Sequence, residues 1–359
     1  MEKIKVMLGA GYDICIGNNI LTELGTALKK FRLSPNALLI VNTTVECLYG
    51  DRVATGLAEA GFTVARSVIP DGEEYKTLTT AAKLYDAAVA AKLDRNCPVI
   101  ALGGGVTGDL AGFVAATYMR GLPFVQVPTT LLAQVDSSIG GKVAVNHPKG
   151  KNLIGSFYQP ILVWSDTETL KSLPERELLT GLAENIKHGV IAGPDLLSFI
   201  YAHLTQILAS DTDTMIELVK RSCRVKQNVV EQDEQETGVR AILNFGHTFG
   251  HAVENVTGYT VYRHGEAVAL GMAAASRLAR RIGVLAEKDE KEIIDLLVQA
   301  GLPCGGTGLD PEQLAQALVY DKKTVAGKLT FVLPRGIGKV EIFQGIDHGD
   351  VLWALKTIC

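Results

Sequence analysis

Apolar and polar positions follow two rhythms along this chain, and the rhythm changes near Pro174. Before it, short apolar runs alternate with longer mixed segments. Ala37-Leu38-Leu39-Ile40-Val41 is one run, ending in the polar Asn42-Thr43-Thr44. Residues 62–69 form a second, stopped by Pro70-Asp71-Gly72. Residues 98–102 run into glycines, and Phe124-Val125-Gln126-Val127-Pro128 is a fourth. Runs of this length, bounded by turn residues, predict buried strands. Residues 79–92 are rich in Ala and Leu and predict a helix between them. Strands alternating with helices imply an α/β domain: a parallel sheet covered on both faces, with ligands beyond the carboxyl ends of its strands. After Pro174 helical spacing dominates, over 177–191, 196–209, 213–231, 248–256, 266–282, 288–299 and 311–319. A small hairpin is predicted from 329–333 and 339–343, around Gly336 and Gly338. The expected plan is an N-terminal α/β domain over 1–173 and a mainly α-helical domain over 174–359. No long polar linker separates them, so close packing around a cleft is expected.

Composition narrows the function. A chain of 359 residues exceeds one ordinary core, and 47% hydrophobic with 21% charged residues fits a globular protein. The net charge of −4 argues against a general nucleic-acid binder. The six cysteines are scattered and include no Cys-x-x-Cys pair. That argues against a four-cysteine zinc site, gives no sign of a disulfide framework and points to a reducing cytoplasm. Met1-Glu2-Lys3-Ile4-Lys5-Val6 carries charges where a signal peptide needs an apolar run, and no membrane-spanning stretch is expected.

Three features carry candidate chemistry. Three of the seven histidines, His247, His251 and His264, fall close together, with Asn244-Phe245-Gly246 before them and Gly265-Glu266 after. His247 and His251 share a helix face, and imidazole is a common zinc ligand. The cluster reads as a metal centre or as hydrogen-bonded histidines of a helix contact. Second, Gly103-Gly104-Gly105-Val106-Thr107-Gly108-Asp109 links a strand to a helix over 110–117. Such a turn lets backbone N–H groups meet a phosphate at a helix N-terminus, or is simply a tight connection. Third, Asp136-Ser137-Ser138-Ile139-Gly140-Gly141-Lys142 and Lys149-Gly150-Lys151-Asn152 could form an anion site. Glu184, Lys187 and His188 share a helix face by their spacing. Any one lysine here is ordinarily solvated surface.

Taken together, Pro128 to Lys142, the Asn146-His147-Pro148-Lys149-Gly150-Lys151-Asn152 run and the histidine region resemble the 3-dehydroquinate synthase family of sugar-phosphate cyclases, over nearly the whole chain. The resemblance implies a Rossmann-like NAD-binding domain and a helical metal-binding domain. It implies a lyase of the shikimate pathway, serving chorismate and aromatic amino acid biosynthesis. The expected reaction converts 3-deoxy-D-arabino-heptulosonate 7-phosphate to 3-dehydroquinate and phosphate by transient oxidation, β-elimination, reduction and aldol closure. Zinc, or cobalt, would be held by Glu184, His247 and His264. His251, Lys187, Asp136, Lys226 and Asn244 would be catalytic. Lys142, Lys151, Asn152, Arg240 and one of Lys322 and Lys323 would bind substrate. Arg120 would reach the substrate phosphate of a neighbouring subunit in a homodimer. NAD would meet Asn42, then Asp71, Gly72, Glu73, Glu74, Tyr75 and Lys76. It would also meet Gly104, Gly105, Val106, Thr107, Gly108 and Asp109, then Thr129 and Thr130, with Lys142 and Lys151 also in reach. Thr169, Leu170, Lys171 and Ser172 would close over it. Val143 and His188 depart from the residues common in the family, at positions that are not ligands. The alternatives are another cyclase, acting on sedoheptulose 7-phosphate or glucose 6-phosphate, a metal-dependent polyol dehydrogenase, or a non-catalytic dinucleotide sensor. Neither nucleic acid nor membrane is an expected partner.

Overall fold

The computed structural model describes residues 1–320 and 329–359. The chain divides into two compact units, one of residues 1–173 with 215–227, the other of 174–214 with 228–359.

The first unit contains nine strands: β1 (Glu2–Val6), β2 (Tyr12–Gly17), β3 (Asn36–Asn42), β4 (Thr63–Ile69), β5 (Val99–Gly103), β6 (Phe124–Pro128), β7 (Lys142–His147), β8 (Gly150–Phe157) and β9 (Leu162–Asp166). Seven form one sheet in the order β1-β2-β9-β6-β5-β3-β4. All neighbours in it run parallel except β1, which pairs antiparallel with β2. The sheet is therefore mixed at one edge rather than wholly parallel. The edge strand has the pattern Glu-Lys-Ile-Lys-Val and buries only Ile4 and Val6, so it needs no cover on its outer face.

Period-two alternation sends successive side chains of one strand to opposite faces. Leu39 and Val41 pack with Leu21, Leu24, Val53 and Leu57, while Leu38 and Ile40 pack with Leu84, Ala88, Leu110 and Val114. The helices Leu78–Ala90 and Gly105–Thr117 cover that second face. From β3 the chain first moves outward to β4, then crosses back to β5 on the other side. The β3/β5 boundary is thus a topological switch point, where the carboxyl ends of an open sheet form a crevice. β7 and β8 form a separate antiparallel hairpin.

The second unit is mainly helical. Its principal helices are Glu175–Ala192, Pro194–Ala202, His247–Val256, His264–Arg281, Glu287–Gln299, Pro311–Tyr320 and His348–Lys356. Glu175–Ala192 and His264–Arg281 are buried nearly all round, as central helices are. β10 (Thr330–Gly336) and β11 (Lys339–Gln344) form the expected hairpin. The helix predicted over 196–209 is two pieces, because His203 leaves helical geometry (φ −118°, ψ 19°) and stacks its ring on Phe199, centroids 4.5 Å apart. Thr212–Gln232 is one continuous helix, and its 215–227 portion belongs to the first unit. There Cys223 donates to the Gln134 carbonyl at 3.3 Å and Gln227 to the Lys5 carbonyl at 2.7 Å.

Candidate functional site

In the first unit, Asn42, Gly103, Pro128 and Asp166 end parallel strands, so the turns that follow them lie along one edge of the sheet. Asn42 and Gly103 flank the switch point. A Cβ on Gly103 would come within 3.1 Å of the Asn42 side-chain oxygen and 2.6 Å of Thr107 Oγ1, so only glycine lets these turns meet. Gly104 caps the Gly105–Thr117 helix in extended conformation (φ −78°, ψ −170°). Val106, Thr107, Gly108 and Asp109 form its first turns. No acidic side chain precedes Asp109 there, which leaves the first backbone N–H groups facing an electropositive end. Thr129 donates its N–H to the Gly103 carbonyl at 3.0 Å, and its buried hydroxyl has no hydrogen-bond partner among the described residues. Thr130 accepts the Ala133 N–H at 3.1 Å.

The turn after β4 is tied to the same edge. Asp71 accepts from the Asn42 side chain and, at 2.9 Å, from the Thr44 hydroxyl. Gly72 has φ 125°, which a side chain would resist. Glu73, Glu74 and Tyr75 make a single 3₁₀ turn leading to buried Lys76. Lys76 Nζ lies 2.9 Å from Asp109 and 3.5 Å from Glu73. Burial works against its charge, but the two carboxylates outweigh burial and hold its pKa above the ordinary value. Asn146 donates to Glu73 at 2.8 Å and accepts the Asn152 N–H at 2.9 Å. It thereby joins the β7–β8 hairpin, with Lys142, Lys151 and Asn152, to the Asp71–Lys76 turn. Sequence reasoning gave Asn146 no role; the signal available was its place opposite Asn152 across the Pro148-Lys149-Gly150 turn. Lys226 pairs with the Asp136 carboxylate and donates to its carbonyl at 2.6 Å. Thr169, Leu170, Lys171 and Ser172 lie in the 3₁₀ segment Thr167–Ser172, anchored where Tyr49 OH meets Ser172 Oγ at 2.6 Å. Arg120 is exposed in a strained turn, with φ 48° at Met119 and 68° at Arg120.

In the second unit, Glu184 is fully buried on Glu175–Ala192 and pairs with Lys187 one turn later. His247 Nε2 lies 3.7 Å and His264 Nε2 3.6 Å from Glu184 Oε1. One ligand atom from each of the three sits within 4.8 Å of the others. Two glycines make the approach possible. Gly246 takes the left-handed conformation (φ 81°) that turns the chain into His247, and Gly250 packs against the backbone of Ala267 and Val268. His264 is the first residue of its helix rather than part of a loop. Glu266 fixes that start by accepting the Arg263 N–H at 2.8 Å while Arg176 grips it with two bonds of 2.6 and 2.7 Å.

Each of these two rings turns its other nitrogen to an oxygen: His247 Nδ1 to the Phe245 carbonyl at 3.2 Å, His264 Nδ1 to Glu254 at 3.3 Å. Burial would lower the His264 pKa, but Glu184 and Glu254 outweigh it and raise it to about 10. So much negative charge around one imidazole suits a bound cation. The His251 ring stands edge-on to His247, centroids 5.5 Å apart. Arg240 is buried and donates to the Glu234 carbonyl, and Asn244 donates to Glu236 at 2.7 Å. Glu236 and Glu254 were not singled out from sequence. Glu254 follows His247 by seven residues, two helical turns, which was the one clue. Lys322 and Lys323 lie outside the described residues.

Two family models, described as 3-dehydroquinate synthase N-terminal and C-terminal, match residues 66–180 and 181–324. The 3-dehydroquinate synthase of Desulforamulus reducens is 52% identical over 358 residues, covering 99% of this chain and 100% of its own. That of Pelotomaculum thermopropionicum is 54% identical over 359 residues, covering 99% and 97%. Among solved structures, a 2-deoxy-scyllo-inosose synthase complexed with carbaglucose-6-phosphate, NAD+ and Co2+ has a TM-score of 0.91 at 27% identity, over 99% of both chains. The 2-epi-5-epi-valiolone synthase of Streptomyces hygroscopicus, with NAD+ and Zn2+ bound, has a TM-score of 0.89 at 29% identity, over 99% of both chains. NADH-dependent butanol dehydrogenase A of Thermotoga maritima, at 15% identity and a TM-score of 0.69 over 96% of both chains, shares the fold alone. Identity near half over the full length, together with a carboxylate and two imidazoles gathered at one point, leads to one family: the chain is an enzyme of the 3-dehydroquinate synthase family.

Proposed function

We propose that this enzyme converts 3-deoxy-D-arabino-heptulosonate 7-phosphate to 3-dehydroquinate and phosphate, with NAD and a zinc or cobalt ion as resident cofactors. The observation that carries this reading is the Glu184–His247–His264 set, the oxygen of one buried carboxylate and the nitrogens of two half-buried imidazoles converging within 4.8 Å. Three protein ligands of that kind suit a catalytic divalent metal and leave coordination positions for substrate oxygens. The glycine turn at Gly103–Gly105 and the bare helix N-terminus behind it suit a pyrophosphate. When bound, the ion supplies Lewis acidity at the substrate hydroxyls, and NAD takes up and returns a hydride.

The chain's own residues bind, orient and move protons. Asn42, Asp71 to Lys76, Gly104 to Asp109, Thr129 and Thr130 line the cofactor edge, and Thr169 to Ser172 stand at the end of β9 beside it. Lys76, locked by Asp109, holds a fixed positive charge there. Lys142, Lys151, Asn152, Arg240 and Asn244 supply donors to an anionic substrate. Lys187 keeps a cation against Glu184, and His251 offers an imidazole next to a ligand for proton transfer. Lys226 sets the Asp136 carboxylate. Exposed Arg120 would serve a neighbouring subunit, giving a homodimer, and the work would be done in the cytoplasm.

The test supplies the heptulosonate phosphate with catalytic NAD and follows phosphate, dehydroquinate and NADH together. Equal release of phosphate and dehydroquinate with no NADH build-up is expected. Chelation should stop turnover, and zinc or cobalt should restore it. Turnover of sedoheptulose 7-phosphate or glucose 6-phosphate instead, or steady NADH accumulation, would overturn the reading.

A further inference from the structure

The ring of His264 is steered differently from that of His247. His247 Nδ1 faces a backbone carbonyl, whose position and charge no side chain can alter. His264 Nδ1 faces the carboxylate of Glu254, a residue only 6% exposed. His247 and Glu254 belong to the same helix, His247–Val256, and seven positions place them on one side of it two turns apart. That helix therefore presents one imidazole directly and grips the other by its far nitrogen. A carboxylate that accepts from Nδ1–H selects the tautomer with a bare Nε2 and increases its donor strength.

We infer that Glu254 is the positioning residue of the metal site, orienting His264 and strengthening its Nε2 as a ligand. The inference rests on the ligand set Glu184, His247 and His264. Glu254 acts through His264, the group its carboxylate meets.

The experiment measures zinc affinity by chelator competition on the full chain, stripped of metal, with no substrate present. The variants are Glu254→Gln, Glu254→Ala and His264→Ala. Glu254→Ala should weaken zinc about 10–100-fold. Glu254→Gln keeps an oxygen for Nδ1–H but loses the charge, so its loss should be smaller. His264→Ala should lose more than either. NAD binding and the melting temperature of the metal-free protein should be unchanged in Glu254→Gln. Zinc affinities of both Glu254 variants within twofold of the parent, with His264→Ala impaired, would overturn the role of Glu254 and leave the ligand set standing. Parent-like affinity in His264→Ala would remove the ligand set and the inference together. A loss of zinc in Glu254→Gln that tracks a lowered metal-free melting temperature would reduce Glu254 to a packing residue.

Discussion

Asp233 organises the approach to Arg240 with one carboxylate. It accepts the N–H groups of Thr237, Gly238 and Arg240 at 2.9, 2.7 and 3.0 Å. These bonds favour the ionised form; the Thr237 N–H does most, desolvation opposes it, the Arg240 and Gly238 N–H groups add to it, and the pKa falls to about 2. An unfolded aspartate titrates near about 3.9. A depressed folded pKa means that the stabilisation is complete above the unfolded value and is lost as pH falls through the folded one. Between about pH 4 and pH 2, Asp233→Asn should therefore flatten the fall in stability, as read by urea melts across that window; an unchanged slope would refute the assignment. Residues differed sharply in how visible they were beforehand. The histidines announced themselves by clustering. Glu184 lies far upstream, and its partnership with them came from family resemblance rather than from spacing. Lys187 shares its helix face, and removing one member of so buried a pair typically costs about 3–5 kcal/mol. Asn146 and Glu254 stayed invisible because their value lies in which neighbour they touch.

At the scale of elements, the meeting of His247–Val256 with His264–Arg281 decides whether a site exists. A Cβ on Gly250 would lie 2.9 Å from the Ala267 carbonyl oxygen and 3.2 Å from Val268 Cα. Both are backbone atoms, so no side chain can swing away. Gly250→Ala gains roughly 0.5–1 kcal/mol from helix propensity, but overpacking costs about 1–3 kcal/mol. The net should be a lower melting temperature and weaker zinc binding; a more stable variant with parent affinity would contradict this packing. β3 was plain in the sequence because nothing polar interrupts its apolar run, whereas β9, buried throughout, was not, because the strand's apolar run ends after three residues at Ser165 and Asp166. β1 was not, because its lysines alternate outward as on any edge strand. The helix over 196–209 looked continuous because its apolar spacing continues through His203, whose backbone alone breaks it.

At the scale of the molecule, each unit carries its own binding chemistry. The turns proposed for the cofactor belong to the first unit and the proposed metal ligands to the second. Hydrogen exchange should separate them. Zinc should slow amides in 184–188 and 247–267, while NAD should slow those in 71–76, 103–109 and 129–130. At one hundred times its dissociation constant either ligand adds about 2.7 kcal/mol to its bound state. Protection by zinc in 103–109, or by NAD in 247–267, would refute this division. Among the described residues no helix is long and apolar enough to cross a membrane.

Taken by itself, the sequence determined the α/β plan of the first half, the helical plan of the second, and the residue types for a metal and a dinucleotide. Those properties are local: periodicity, glycine at a turn and clustered imidazoles are written in neighbouring positions. Tertiary structure alone decided that Asn42 faces Gly103 across a switch point, that Asn146 ties the hairpin to Glu73, that 215–227 joins the first unit, and that Glu254 holds His264. Such contacts form between segments distant in sequence. They depend on strand order and helix approach, which no local pattern encodes.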